Sequence, residues 1–161
     1  MKSGVGGGGV VLVEQLLNDG GDPPLEVKIY AFQGIIGLLM LVSPTAEGIR
    51  KRMYLDATGH CLKPMVDLDK CDQSIPIPER LDTVMQHASA ISSLLPLPYV
   101  RVDFYHTPAQ EQEWTFGELT TAPGVGLFPR PLDTQLGRLW EESMERLLFR
   151  GEALPTLCDR P

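Results

Sequence analysis

The stretch Tyr99-Val-Arg-Val-Asp-Phe-Tyr105 alternates between polar and apolar side chains. This alternation predicts a β-strand with one apolar face and one polar face, the polar face formed by Arg101, Asp103 and Tyr105. After a polar connecting loop, residues 114–120 alternate again and carry Phe116, Glu118 and Thr120 on one face. Two alternating runs joined by a short polar loop are typical of an antiparallel hairpin.

The predicted hairpin brings two carboxylates together. If it closes near residues 110 and 111, Asp103 lies opposite Glu118 and Arg101 lies opposite Thr120. Cβ atoms of such neighbours are about 5 Å apart, so the carboxylates repel each other unless a cation lies between them. One interpretation is a site for a hard divalent cation and a phosphate that Arg101 holds. The other is a solvated sheet face with Arg101 as counter-ion.

Two more strands are predicted upstream of the hairpin. Residues 25–32 alternate, with Glu26, Lys28 and Tyr30 on one face, and residues 35–42 return as a more fully buried strand after the turn Gln33-Gly34. A short buried strand is also predicted over residues 10–14. Residues 43–78 show few periodic signals and many turn formers, so we expect an exposed excursion there.

Two amphipathic helices complete the predicted fold. The first begins near Pro78, stops at Pro96, and has the apolar stripe Leu81, Val84, Met85, Ala88, Ile91 and Leu95. The second is capped by Asp133 and has the stripe Leu136, Leu139, Trp140, Met144 and Leu147. The predicted class is α+β, with antiparallel strands packed against two main helices. Residues 1–150 form one domain and residues 151–161 a C-terminal tail.

Composition and charge exclude several classes of protein. The 161 residues are 43% hydrophobic and 22% charged, which rules out global disorder. The net charge of −7 is the opposite of the basic excess that a non-specific nucleic-acid binder needs. The longest uncharged apolar run, about residues 35–42, is far shorter than the roughly 20 residues that span a bilayer. With no apolar signal core at the start, we expect a cytoplasmic protein.

Other polar features are weaker. Gly4 and Gly6 to Gly9 formally match G-x-G-x-x-G, but no strand precedes them, so the run is either a phosphate-binding loop between strands or a floppy leader. Arg50-Lys51-Arg52 is a solvated basic patch or a phosphate contact. The three histidines have no Ser or Cys partner at an instructive spacing. The cysteines Cys61, Cys71 and Cys158 are interpreted as cytosolic thiols.

The hairpin resembles a known family. Val-Arg-Val-Asp-Phe-Tyr at 100–105, followed by Phe-Gly-Glu-Leu-Thr-Thr-Ala-Pro-Gly at 116–124, closely resembles the ATP-grasp proteins of the teichuronopeptide-biosynthesis (TupA-like) family. The resemblance implies that Asp103 and Glu118 bind Mg²⁺ (or Mn²⁺), and that Arg101 holds the transferring phosphoryl group as a catalytic residue. Thr120 stands where the wider superfamily has an Asn metal ligand, so a hydroxyl replaces an amide carbonyl.

Residues 1–34 resemble the nucleotide-binding segments of the same superfamily more loosely. Residues 11–17, which contain Glu14 and Leu17, resemble the hinge that holds adenine by its backbone. The resemblance further implies a ribose contact from Glu26, a family-typical Lys28, and phosphate contacts from Lys2 and Arg52. A complete member has a further domain before the Gly run, so we expect a partial ATP-grasp domain or a partner chain that supplies that region.

The resemblance implies an ATP- and Mg²⁺-dependent carboxylate–amine/thiol ligase that acts through an acyl-phosphate. The implied partners are ATP and carboxylate and amine substrates, among them a peptide or an acidic polymer. Two alternatives stay open. One is a non-catalytic ATP-grasp remnant that binds a nucleotide or a protein partner. The other is phosphoryl transfer to an alcohol at the same metal site.

Overall fold

In the part of the chain that the structure describes, five antiparallel strands form one sheet with a helix on each face. The computed structural model describes residues 17, 23–44, 50–62, 71–107, 113–122 and 128–149. The elements in chain order are β1 (Leu25–Phe32), β2 (Ile35–Pro44), β3 (Arg50–Leu55), α1 (Leu81–Leu94), β4 (Val100–His106), β5 (Trp114–Thr120) and α2 (Arg130–Phe149). The strand order is β3-β2-β1-β4-β5, which confirms the α+β class and places β1 at the centre.

The central strand is covered on both faces. Alternate residues of β1, such as Val27 and Ile29, pack with β2 and β4 against α1 in one core. Tyr30 and Phe32 point the other way and pack against α2 in a second, smaller core. The second core covers the end of the sheet near Phe32. Polar residues occupy most of the rest of that face, which we call the site face.

The β1–β2 turn fixes the end of α1. Gln33 and Gly34 both have positive φ angles, 46° and 89°, as a two-residue hairpin turn requires. The Gln33 side chain donates hydrogen bonds from Nε2 to the carbonyls of Leu95 (2.7 Å) and Leu97 (2.6 Å) and, at 3.2 Å, of Ser92. Carbonyls at a helix C-terminus have no partner within the helix, so this one amide holds the end of α1 on the turn.

Two predictions about element bounds were wrong. Residues 50–55 are not an exposed excursion: β3 pairs with β2 from Leu39↔Leu55 to Pro44↔Arg50. The run Arg50-Lys51-Arg52 obscures this strand in the sequence, because its first three side chains are exposed at the edge of the sheet.

The second helix begins at Arg130, so Asp133 lies in its first turn and not at its cap. Leu132 therefore joins the buried side of α2, whereas Trp140 is exposed.

The β4–β5 hairpin contains a bulge beside Asp103. Arg101↔Thr120 and Val102↔Leu119 pair as the sequence predicts, but the register shifts before Phe104↔Phe116. Gly117 and Glu118 together therefore oppose Asp103. The shift separates Phe116 from Glu118: Phe116 lies beside Phe104 on the α1 face, against the prediction, while Glu118 and Thr120 stay on the site face.

None of the described helices is long and apolar enough to cross a bilayer.

The bulge should depend on Gly117. A Cβ there would lie 2.9 Å from Cε2 of Tyr105 and 3.0 Å from the backbone oxygen of Asp103. We expect Gly117→Ala to lower the free energy of unfolding by about 1–3 kcal/mol through overpacking. Gly137→Ala is the matched control, because a Cβ on this α2 residue meets nothing within 4 Å. It should stabilise by roughly 0.5–1 kcal/mol. Urea unfolding measures both, and equal effects would contradict the close packing at Gly117.

Candidate nucleotide and phosphate site

A buried carboxylate lies at the centre of the site face. The Asp103 side chain is 0% exposed, and both of its oxygens accept hydrogen bonds from cations. Arg101, two residues away on β4, donates from Nε to Oδ1 and from Nη2 to Oδ2, each at 2.7 Å. Lys28 on β1 donates from Nζ to Oδ2 at 2.6 Å. A carboxylate can be buried in this way because its charge is paired and its oxygens are hydrogen-bonded.

Lys28 joins two acidic residues on neighbouring strands. It lies directly opposite Asp103 in the β1–β4 ladder. Its Nζ also forms an ion pair with Glu26, two residues away on the same face of β1. The side chains of Lys28 and Glu26 are 13% and 16% exposed, so the ammonium group is partly shielded from water and fixed between two carboxylates.

Arg101 extends the cluster to β5. Its Nη2 donates to Glu118 Oε1 at 3.0 Å and to Thr120 Oγ1 at 2.9 Å. The Glu118 side chain is 62% exposed, whereas that of Arg101 is 13% exposed. The guanidinium group of Arg101 therefore bridges the two predicted carboxylates. Asp103 is buried, and Glu118 is open to solvent. We call Glu26, Lys28, Arg101, Asp103, Glu118 and Thr120 the polar cluster.

Asp103 offsets the effect of burial on its partner. Burial alone would lower the pKa of Arg101, but the hydrogen bonds and negative charge of Asp103 outweigh it and raise that pKa above its ordinary value. Arginine stays protonated in proteins in any case, so Arg101 is a permanent cation. Tyr30, directly opposite Arg101 in the ladder, is almost fully buried. Burial raises the pKa of Tyr30 to about 12.

A cavity opens next to the polar cluster. It has a volume of about 180 Å³ and is lined by Pro23, Pro24, Glu26, Val42, Arg50 and Tyr105. Sites that enclose a whole ligand have volumes of roughly 300–1,000 Å³. The cavity therefore accommodates only part of a nucleotide, and Glu26 is the residue that it shares with the cluster.

The strand β3 brings basic residues to the same face. Arg52 pairs with Val42, which pairs in turn with Glu26. Partners directly opposite each other in a ladder point to the same face of the sheet, so Arg52 lies on the site face. Two strand spacings separate it from Glu26, about 10 Å. Arg52 is exposed and makes no ion pair with the polar cluster within the described residues.

The structure thus brings together six of the residues proposed from the sequence, and Arg52 lies on the same face. Lys2, Glu14, the Gly run and the strand predicted over residues 10–14 lie outside the described residues. Leu17 is half-buried, and its contact with adenine stays a prediction.

The arrangement does not form a ready metal centre. Within the described parts of the chain, no three His, Cys, Asp or Glu side chains are grouped closely enough to hold a metal ion. Lys28 and Arg101 donate three hydrogen bonds to the buried Asp103 carboxylate, so a metal ion that bound this carboxylate directly would have to compete with them. Glu118 and Thr120 present the more exposed oxygen atoms. Metal binding by Asp103, Glu118 and Thr120 therefore stays a prediction.

Comparison with known proteins identifies the class. The sequence matches a family model of the ATP-grasp type over residues 12–141, most of the chain and all five strands. The model is that of the TupA-like ATP-grasp proteins, and the chain belongs to this family.

Solved structures give a weaker likeness. The structure of the ATP-grasp ligase PsnB complexed with minimal precursor matches with a TM-score of 0.42 and 11% identity, covering 76% of this chain and 35% of that chain. PsnB with a phosphomimetic variant of minimal precursor, Mg and ADP matches with a TM-score of 0.44 and 10% identity, covering 78% and 34%. The chain thus spans about a third of the length of these proteins. Among curated proteins, none matches it.

Sequence reasoning missed the partners of Lys28. The alternation of residues 25–32 places Lys28 on the polar face of β1, and that of residues 99–105 places Asp103 on the polar face of β4. No local signal shows that β1 and β4 are neighbours, so the ion pair of Lys28 with Asp103 was not predicted. The meeting of Arg50 and Tyr105 at one cavity was missed for the same reason, since it depends on the strand order.

The burial of Asp103 makes it the most sensitive residue of the cluster. Asp103→Asn keeps the shape but leaves Lys28 and Arg101 without their shared anion, and we expect a loss of about 3–5 kcal/mol in the free energy of unfolding. Glu118→Gln is the matched control, because this carboxylate is largely exposed and should contribute less than about 1 kcal/mol. Urea unfolding at neutral pH measures the loss in the free energy of unfolding for both variants. A loss at Asp103 no larger than that at Glu118 would contradict the network.

Stability should fall in alkaline solution because of Tyr30. Its pKa is about 12 in the folded protein and near 10 in the unfolded chain. Between these values the unfolded state releases the proton first, so the free energy of unfolding falls as pH rises, by about 3 kcal/mol from this group. Tyr30→Phe should make the decline above pH 10 shallower and leave the pH dependence near pH 8 unchanged. Equal slopes above pH 10 would refute the assignment.

Proposed function

We propose that the protein takes part in ATP-dependent ligation of a carboxylate to an amine or thiol. Membership of the ATP-grasp family supports this class of reaction. The observation that carries the proposal is a pair of fixed cations: Lys28 and Arg101 each have a 13% exposed side chain and are held on one sheet face by the buried Asp103. Fixed cations stabilise negative charge that develops on phosphate oxygens without having to reorganise.

The nucleotide would lie along the site face. In this proposal Glu26 contacts the ribose and the adjoining cavity takes part of the nucleoside. Lys28 lies between Glu26 and Asp103, so it can reach a phosphate near either residue. Arg52 approaches the phosphates from β3. By the family resemblance Lys2, Glu14 and Leu17 add further contacts.

Charge within the polar cluster favours a nucleotide that brings a cation to it, whereas Arg50 and Arg52 add positive charge farther along the site face. The polar cluster contains three carboxylates and two cations, which leaves one excess negative charge when all are ionised. A free triphosphate would meet repulsion there, and a divalent ion that arrives with it would relieve that repulsion. We therefore include Mg²⁺ (or Mn²⁺) in the proposal, with Glu118 and Thr120 as the accessible oxygens. Asp103 could become a ligand when Lys28 or Arg101 leaves it.

The proposed reaction is stepwise. ATP supplies a γ-phosphoryl group to the substrate carboxylate, giving an acyl-phosphate and ADP, and attack by the amine then gives the amide and phosphate. We assign to Arg101 the stabilisation of charge on the transferring group, because its guanidinium group joins the buried Asp103 to the exposed Glu118. Lys28 and Asp103 position Arg101 and the phosphates. Most of the catalysis in phosphoryl transfer comes from such positioning and electrostatics.

The acceptor, a partner chain and a cytoplasmic location are also parts of this proposal, and the chain spans about a third of the PsnB structures it matches. A second candidate is a module that binds a nucleotide without catalysis. It is favoured by the hydrogen bonds that Lys28 and Arg101 donate to Asp103, which keep this carboxylate paired within the protein.

Ligand-linked stability tests the nucleotide site. Mg-ATP at about 100 times its dissociation constant should raise the free energy of unfolding by roughly 2.7 kcal/mol. Removing the ion with EDTA should abolish most of the gain. Glu118→Gln should weaken the Mg-dependent gain, whereas Glu141→Gln, the same change on the exposed surface of α2, should not. The measurement is thermal unfolding of each variant with ATP, with and without the ion.

Three outcomes would contradict the proposal or part of it. If Mg-ATP leaves the unfolding temperature of the well-folded protein unchanged, the protein has no working nucleotide site. An identical Mg-dependent gain in the two glutamate variants would exclude Glu118 as the residue that receives the ion. A stabilised protein that turns over no ATP with any carboxylate and amine would favour the non-catalytic module over the ligase.

A further inference from the structure

Two cysteines meet at the outer edge of the sheet, away from the polar cluster. Their sulfur atoms, Sγ of Cys61 and Sγ of Cys71, are 3.9 Å apart. No disulfide joins them. Both residues are half-buried and pack against the hydrophobic cores, Cys71 against both of them. The remaining cysteine, Cys158, lies outside the described residues.

Backbone hydrogen bonds hold the two cysteines together. Leu62, next to Cys61, donates its N–H to the carbonyl of Tyr54 at 2.9 Å. Asp72, next to Cys71, donates its N–H to the carbonyl of Arg52 at 2.7 Å. Both carbonyls belong to β3 and face its outer edge, because the other edge pairs with β2. Chain segments anchored two residues apart on one strand lie within about 7 Å of each other.

Further contacts anchor each segment. Cys61 forms an isolated antiparallel bridge with Leu55 at the end of β3. The Asp72 carboxylate pairs with Lys51 on β3 at 2.8 Å and accepts a hydrogen bond from the N–H of Ser74, also at 2.8 Å. The backbone contacts therefore hold the two cysteines close together, and the short distance between their sulfur atoms does not depend on the side-chain rotamers alone. A disulfide needs an S–S distance of about 2.05 Å, so each sulfur would move by about 1 Å.

We propose that Cys61 and Cys71 form a redox-active thiol pair that a small disulfide such as oxidised glutathione converts into an intramolecular disulfide. One thiolate attacks a sulfur of the small disulfide and releases one thiol, which leaves a mixed disulfide. The second cysteine thiolate attacks the protein-bound sulfur of the mixed disulfide and releases the second thiol. The protein loses two electrons and two protons, and the small disulfide is reduced to two thiols.

The proposed disulfide lies beside the strand that carries Arg52 and Tyr54 to the site face. It would link the two segments that cover the outer edge of β3 and hold that edge in place. This inference is independent of the proposed ligase activity. The cysteines lie at the edge of β3 that does not pair with β2, and no residue of the polar cluster takes part.

Glutathione redox buffers provide the test on the full chain. Samples are equilibrated, quenched with acid and alkylated, and the peptides that contain each cysteine are identified by mass spectrometry. The same titration is run in urea, where the hydrogen bonds to β3 are lost. We expect a Cys61–Cys71 crosslink in the folded protein at an oxidised-to-reduced glutathione ratio more than about tenfold lower than in urea.

Variants distinguish the pair from accidental oxidation. Cys158→Ser should leave the crosslink and its midpoint unchanged. Cys71→Ser should leave Cys61 with a glutathione adduct that no second thiol resolves. The oxidised wild-type protein should also unfold at a temperature higher by several degrees.

Three results would overturn the proposal: a folded chain that is oxidised no more readily than the unfolded one, a disulfide to Cys158 in its place, or no crosslink at any ratio.

Discussion

The buried charge of Asp103 is the constraint on which the rest of the site depends. A carboxylate without water must be paired, and a single partner would leave hydrogen-bonding capacity unsatisfied. Asp103 solves this with two cations from two strands, Arg101 beside it on β4 and Lys28 across from it on β1. Because Arg101 also contacts Glu118 and Thr120, the position of β5 relative to the centre of the sheet is linked to the same carboxylate.

Under the proposed function, stability and ligand binding would draw on the same side chains. The cations that fix the sheet are the ones to which the proposal assigns the phosphates, and the carboxylate that holds them is one that the family resemblance assigns to the metal. Ligand binding at such a site has to compete with existing ion pairs. The exposed Glu118 is the group that can change partners at the lowest cost, since water already screens it.

Most strands could be predicted because each carries its own pattern. The alternation in residues 25–32, 99–105 and 114–120 gave strands whose bounds agree closely with those observed, and the polar faces of β1 and β4 were assigned correctly. The bulge at Gly117 and the pairing of Lys28 with Asp103 could not be predicted, because both depend on how distant segments fit together. The strand β3 was missed because exposed basic residues at a sheet edge look like a loop.

The Gln33 side chain couples local opening of the sheet to local opening of α1. Its amide bonds the last carbonyls of α1, while Gly34 exchanges hydrogen bonds with Ser92 and Ser89 of the same helix. The last turn of the helix and the tip of the β1–β2 hairpin therefore cannot open separately. Their amide protons should exchange with solvent in one cooperative event, as a single local unfolding unit. The end of a helix ordinarily frays first. Here we expect it to open only when the attached end of the sheet opens.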